Sequence, residues 1–192
     1  MFLLSWIRDI FAFFGFKRNA KLLIIGLDNA GKSTFLDRVA DGRLVQNPPT
    51  LQTRCKQLDL GRLRFTAYDL GGHPHVRRIW RDYFPAVDGI LFVVDAADEA
   101  RFEEAKAELD SVLTCDITPD VPVAILMNKI DRKEAVSEES LVQAFNLYPT
   151  KTGKEHVPRE KLGRRSVETF PTSLVKRLGY GEALRWLAYY IE

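Results

Sequence analysis

Gly26-Leu27-Asp28-Asn29-Ala30-Gly31-Lys32-Ser33 follows directly on an apolar run, Leu22-Leu23-Ile24-Ile25. The pattern has meaning only where a strand feeds a glycine-rich loop that opens a helix, so it commits the chain to an α/β fold. Such a loop curls around phosphate. Successive backbone N–H groups and the helix N-terminus point inward and favour an anion. The glycines let the backbone approach a ligand where a Cβ would collide. Lys32 is expected to reach the β- and γ-phosphates, and Ser33 to hold Mg²⁺.

The rest of the chain alternates in the way that loop requires. Apolar, β-branched runs at Leu22–Ile25, Arg64–Tyr68, Ile90–Val94, Val121–Met127 and Val167–Phe170 read as strands. Helices are expected near Lys32–Val39, Glu99–Val112, Glu138–Phe145 and Glu182–Tyr190. Cys55–Leu60, followed by Gly61-Arg62, reads as the first arm of a hairpin whose second arm ends at Asp69. The expectation is a mostly parallel six-stranded sheet with helices on both faces. Ligands of such sheets sit at the carboxyl ends of the strands.

At 192 residues the chain has room for one domain with a sizeable core. A net charge of +2 is no large basic excess, which argues against nucleic acid as a partner. Cys55 and Cys115 lack metal-ligand spacing, and a reduced cytosolic setting is the default.

The first residues are different. Phe2 to Phe14 is mostly large and apolar, and as a helix it sets Ser5, Arg8, Asp9 and Ala12 on one narrow stripe. It is too short for the roughly 20 apolar residues of a membrane span. Its charges, Lys17 and Arg18, follow the apolar part instead of leading it, unlike a signal peptide. Residues 1–18 are therefore expected to form an amphipathic membrane-binding segment, with Lys17, Arg18 and Lys21 near lipid headgroups, ahead of a domain at 19–192. The competing expectation is that the apolar face folds back as core. Phe2 excludes N-myristoylation and Tyr190-Ile191-Glu192 excludes prenylation, so side chains alone would meet the membrane.

Two further segments name the nucleotide. Asn128-Lys129-Ile130-Asp131 follows a strand. A carboxylate at Asp131 can accept from N1–H and the 2-amino group of guanine, and adenine lacks both donors. The Lys129 stem can lie along the base, and Asn128 can tie this loop to the phosphate loop. Backbone N–H groups of Ser173 and Leu174, after the last strand, could donate to O6. Asp69-Leu70-Gly71-Gly72-His73 ends another strand. There Asp69 can hold Mg²⁺ through water, and the Gly72 N–H can touch a γ-phosphate only if its loop swings in.

Together these residues make the chain resemble the small GTPases, and within them the Arf/Sar family, most closely its Sar-type members of the endoplasmic reticulum coat. Gly-Leu-Asp-Asn-Ala-Gly-Lys and Asp-Leu-Gly-Gly-His are the narrow markers, with His73 where Arf-type members carry Gln. Leu174–Glu182 with Arg185-Trp186, and the loop Thr150–Arg165, are similar to the Sar-type C-terminal part. The resemblance implies a P-loop NTPase of the small-GTPase fold that cycles between GTP and GDP. It implies that Asp28, Asn29, Ala30, Gly31, Lys32, Ser33, Thr34 and Gly72 cradle the phosphates. Asn128, Lys129, Asp131, Ser173 and Leu174 would hold guanine. Ser33, Thr50 and Asp69 would hold Mg²⁺. His73 would position the attacking water, with Lys32 serving the same step.

The implied partners are a membrane surface met by residues 2–14, coat subunits including a GTPase activator, and a membrane-bound exchange factor. The implied location is the cytoplasm and the cytosolic face of the endoplasmic reticulum. One stretch departs from the subfamily: Leu51-Gln52-Thr53-Arg54-Cys55-Lys56 is basic where Ser and Glu are usual. Alternatives from other classes are a small kinase, for which Asn-Lys-Ile-Asp would have no use, an Arf-like GTPase of another membrane, and a GTP-binding scaffold without turnover.

Overall fold

In a computed structural model, residues 18–45, 47–48, 50, 52–60, 63–155 and 157–191 are described. The segment 2–14 with its membrane expectation, Lys17, Leu51 and the turn at 61–62 lie outside them. Six strands form one sheet: β1 (Arg18–Ile25), β2 (Arg54–Leu60), β3 (Leu63–Asp69), β4 (Gly89–Asp95), β5 (Val123–Asn128) and β6 (Val167–Pro171). Their order across the sheet is β2-β3-β1-β4-β5-β6. Only β2 and β3 pair antiparallel, as the hairpin reading expects. The other neighbours are parallel.

The helices are α1 (Lys32–Asp41), α2 (Pro74–Arg77), α3 (Trp80–Tyr83), α4 (Phe102–Leu113), α5 (Glu138–Ala144), α6 (Arg159–Leu162) and α7 (Tyr180–Ile191). A 3₁₀ turn at Glu99–Arg101 leads into α4, so the helix expected from Glu99 starts one turn later. Gly42, at φ 68°, ends α1 in the left-handed conformation a glycine adopts without strain. The Ser137 hydroxyl starts α5 by accepting the Ser140 N–H at 3.1 Å.

Strands β4 and β5 are buried on both faces, which is why they read as unbroken apolar runs rather than alternating ones. Alternation in β1 splits the core in two. Leu22 and Ile24 join Phe35 of α1 and Trp186 and Tyr190 of α7 on one face. Leu23 and Ile25 join Trp80, Phe102, Leu109 and Leu141 on the other. Helices thus cover both faces. β1 begins at Arg18, further upstream than its apolar run, because its first half is largely exposed and tolerates Arg18, Asn19 and Lys21. The strand takes in the last residue of the segment assigned to 1–18.

The basic stretch of β2 is answered within the chain. Asp37 of α1, 4% exposed, accepts from Arg54 at 2.8 Å, Lys56 at 2.7 Å and Asn47 at 2.7 Å. Lys56 also meets Asp41. Burial alone would raise the Asp37 carboxyl, but these donors hold it below its ordinary value. Asp37→Asn keeps the shape and removes the charge that three donors share. The expected cost is about 1–3 kcal/mol, or roughly 3–9 °C in Tm for a domain of this size. A carboxyl depressed by folding adds stability above its unfolded value and loses it as pH falls through the folded one. The gap in Tm between the parent and Asp37→Asn should therefore be full at pH 7 and narrow below about pH 4. Thermal unfolding followed by circular dichroism across pH checks both.

Candidate nucleotide site

The loops after β1, β3, β5 and β6 meet at one edge of the sheet because the register aligns the strand ends. Ile24 lies beside Asp69, Asp95 beside Asn128, and Met127 beside Pro171. Between these loops runs a cleft of about 370 Å³, lined by Asp28, Asn29, Gly31 to Thr34, Asn47, Pro48, Thr50, Gly72, His73 and Lys129. Most of the residues expected at phosphate and metal are on that wall.

The phosphate loop is set by close packing. Gly26, at φ 135°, would drive a Cβ to 2.2 Å from the Val93 carbonyl oxygen, and Gly31, at φ 104°, to 2.3 Å from the Asn128 amide nitrogen. That second approach exists because Asn128 donates to the Ala30 carbonyl at 2.8 Å, the tie between loops expected from the sequence. The Lys32 ammonium donates to the Leu27 carbonyl at 2.7 Å. Burial pushes it down to about 8, with the carboxylates of Asp69 and Asp28 pulling the other way.

Ser33, Thr50 and Asp69 come together although they are far apart in the chain. The Ser33 hydroxyl donates to Asp69 Oδ2 at 2.6 Å and lies 2.8 Å from the Thr50 hydroxyl. Asp69 is fully buried, and its Oδ1 has no partner among the described residues. Burial raises its carboxyl, partly offset by Ser33 and Lys32. Mg²⁺ prefers compact oxygen ligands. Two hydroxyls, a buried carboxylate and one oxygen still open fit that ion.

Gly72 packs onto the phosphate loop. A Cβ there would lie 2.2 Å from the Asp28 nitrogen and 2.3 Å from the Leu27 carbonyl carbon. His73 is the N-cap residue of α2: its backbone carbonyl accepts from the Val76 and Arg77 N–H groups, and its side chain makes no capping bond. Its ring stacks on His75 at 5.7 Å and edges the cleft.

Past Lys129, Asp131 Oδ1 accepts the Ser173 hydroxyl at 2.5 Å. Lys129 reaches Asp95 at 2.6 Å, which holds its stem. One expectation needs correction. The Ser173 backbone N–H donates to the Leu178 carbonyl at 3.1 Å and is not free for O6, because the chain doubles back over 173–178. Of the expected pair, the Leu174 N–H has no backbone partner among the described residues. Ser173 acts here through its hydroxyl.

Sequence reasoning passed over Arg101, Arg77 and Glu104. Arg101 donates to Asp28 Oδ1 at 2.9 Å, and this contact lowers the Asp28 carboxyl against the opposing effect of burial. The i,i+3 spacing of Arg101 and Glu104 was the one legible sign.

Residues 7–191 match the ADP-ribosylation factor family. The chain is 38% identical over 188 residues to the small COPII coat GTPase SAR1 of Giardia intestinalis, covering 97% of this chain and 98% of that protein. It is 38% identical over 200 aligned positions to the small COPII coat GTPase SAR1 of Nicotiana tabacum, covering all of both. The structure of the Arl6 BBS3 small GTPase from Trypanosoma brucei, with bound nucleotide analogue GppNp, matches with a TM-score of 0.75 at 25% identity, over 91% of this chain and 98% of that one.

Proposed function

This chain belongs to the ADP-ribosylation factor family, and on that premise we propose that it is a GTP-hydrolysing switch of the Sar type. With GTP it binds the endoplasmic reticulum membrane through residues 2–14 and recruits a vesicle coat. A coat subunit then activates hydrolysis, and a membrane-bound exchange factor reloads it. The observation that carries this reading is the 38% identity, along the whole chain, to two small COPII coat GTPases.

The chemistry follows from the cleft. Lys32 and the loop N–H groups neutralise the phosphates. Ser33, Thr50 and Asp69 would hold Mg²⁺, which when bound would draw charge from the phosphate oxygens. Asp131 selects guanine, Lys129 covers it, and the Leu174 N–H reads O6. Gly72 touches the γ-phosphate, which sets His73 against the attacking water. His73 orients that water through a ring nitrogen, but turnover without an activator is slow. An arginine in trans supplies about 10³–10⁵ in rate in related GTPases.

A second reading, an Arf-like GTPase of another membrane, draws on the basic stretch at 51–56. Arg54 and Lys56 are already paired with Asp37 and Asp41, which weakens it. No described helix is long and apolar enough to cross a membrane.

Flotation with liposomes tests the switch. The full chain should float at least tenfold more with a non-hydrolysable GTP analogue than with GDP. A variant lacking residues 2–14 should bind nucleotide and stay unbound to liposomes. Coat subunits added to the floated protein should raise hydrolysis at least 10²-fold. Equal flotation in both nucleotide states removes the switch, and hydrolysis indifferent to coat subunits removes the coat role.

A further inference from the structure

Arg77 is 8% exposed, and none of the roles above uses it. A buried guanidinium must place its donors, because leaving them unpaired is costly. Arg77 places them on three acceptors. Its Nε donates to the Gly72 carbonyl at 2.6 Å, and its two terminal nitrogens donate to Glu104 at 2.6 Å and Glu108 at 2.9 Å. The second oxygen of Glu104 accepts from Arg101 Nε at 2.8 Å. Arg101 in turn donates to the Asp28 carboxylate and, at 3.3 Å, to the Asp28 carbonyl. Asp28 is the residue whose nitrogen Gly72 packs against. The contacts close a ring: Asp28, Arg101, Glu104, Arg77, Gly72 and back to Asp28.

The ring controls peptide orientation. A trans peptide points its C=O and its N–H to opposite sides. The Trp80 indole donates to the Gly71 carbonyl at 3.1 Å, which fixes the direction of the Gly72 N–H. Arg77 grips the next carbonyl, Gly72, and so fixes the peptide that enters His73. Two successive glycines have wide backbone freedom, and α2 is a single turn of four residues that cannot set them unaided. Side-chain donors on both carbonyls remove that freedom at the two residues expected to meet the γ-phosphate and the attacking water.

We propose that Arg77 is a positioning residue for GTP hydrolysis: it holds the Gly72–His73 peptide against the phosphate loop through its fork onto Gly72 and Glu104, with Arg101 and Asp28 completing the ring. The proposal rests on the reading of the cleft as a GTPase site. It concerns the GTP state, since GDP has no γ-phosphate for Gly72 to meet.

Single-turnover GTP hydrolysis and separate GTP and GDP affinities, measured on the full chain, decide it. Arg77→Gln should slow hydrolysis at least tenfold and reduce the preference for GTP over GDP about tenfold, with GDP affinity kept within twofold. Arg77→Lys should not rescue, because an ammonium cannot fork onto a carbonyl and a carboxylate. Glu104→Gln, a change on the outer face of α4, should give the same pattern more weakly and stands in should Arg77→Gln fail to fold. The double variant should be no worse than Arg77→Gln, as expected of one shared network. His73→Gly gives the reference for loss of the water-orienting ring: it should slow hydrolysis while leaving the GTP preference intact. Hydrolysis and GTP preference both within twofold of the parent in Arg77→Gln and Glu104→Gln overturn the proposal. So does an equal loss of GTP and GDP affinity with a lowered Tm, which is a packing role alone. A parent protein that neither binds nor hydrolyses GTP overturns the underlying GTPase reading instead.

Discussion

Asp131→Asn is expected to lower GTP affinity by roughly 10²–10⁴-fold and to raise affinity for xanthosine triphosphate. Two hydrogen bonds from N1–H and the 2-amino group to a carboxylate are worth about 1.5–3 kcal/mol each. The substitution turns one acceptor into a donor, which then faces the 2-amino group. Xanthine carries a carbonyl at that position and accepts from the new amide. The surroundings should hold, because Asn keeps one oxygen for the Ser173 hydroxyl that now bonds Asp131. Competition between GTP, ATP and xanthosine triphosphate for the parent and the variant gives the answer. Xanthosine binding by the variant also proves it folded. ATP competing as well as GTP against the parent would refute guanine recognition at Asp131.

What could be read from the chain beforehand follows a physical line. Segments placed by local backbone geometry were legible: the loop 26–33, the strand end at Asp69 and the segment 128–131 are each marked within a few positions, and the register brings them to one end of the sheet. The fold was legible for a similar reason, since β4 and β5 are unbroken apolar runs and β2 and β3, neighbours in sequence, pair antiparallel. Residues that act through distant partners were not. Arg101 meets Asp28 across 73 positions, and Arg77 meets Glu108 across 31. Beyond the i,i+3 spacing of Arg101 and Glu104, nothing in either neighbourhood marks them. Arg54 and Lys56 read only as a basic departure from the subfamily, because their answering charge, Asp37, sits on α1, 17 and 19 positions away. Ser173 was expected to give its N–H to a ligand, and only the reversal of the chain at 173–178 shows that N–H already taken.

Gly72→Ala is expected to cut GTP hydrolysis at least 10³-fold while leaving GDP affinity within about threefold. The new methyl would meet the Asp28 nitrogen at 2.2 Å, the Leu27 carbonyl carbon at 2.3 Å and the Gly26 oxygen at 2.6 Å. All three are backbone atoms of the phosphate loop, so no side chain can turn aside. That loop is itself pinned by Gly26 against Val93 and by Asn128 against Ala30, and it cannot retreat. The strain is relieved only by moving residues 71–73 away from the cleft. Moving them withdraws the Gly72 N–H from the γ-phosphate and takes His73 with it. Loss of one hydrogen bond to a charged group costs about 1.5–3 kcal/mol, or roughly 10–10²-fold in GTP affinity. Loss of an oriented water adds its own factor to the rate. Fluorescent GDP and GTP analogues measure the two affinities, and single-turnover assays with activator measure the rate. A variant that still hydrolyses GTP at the parent's rate would show that residues 71–73 act from a position clear of the phosphate loop, and the closed packing of Gly72 would lose its place in the mechanism.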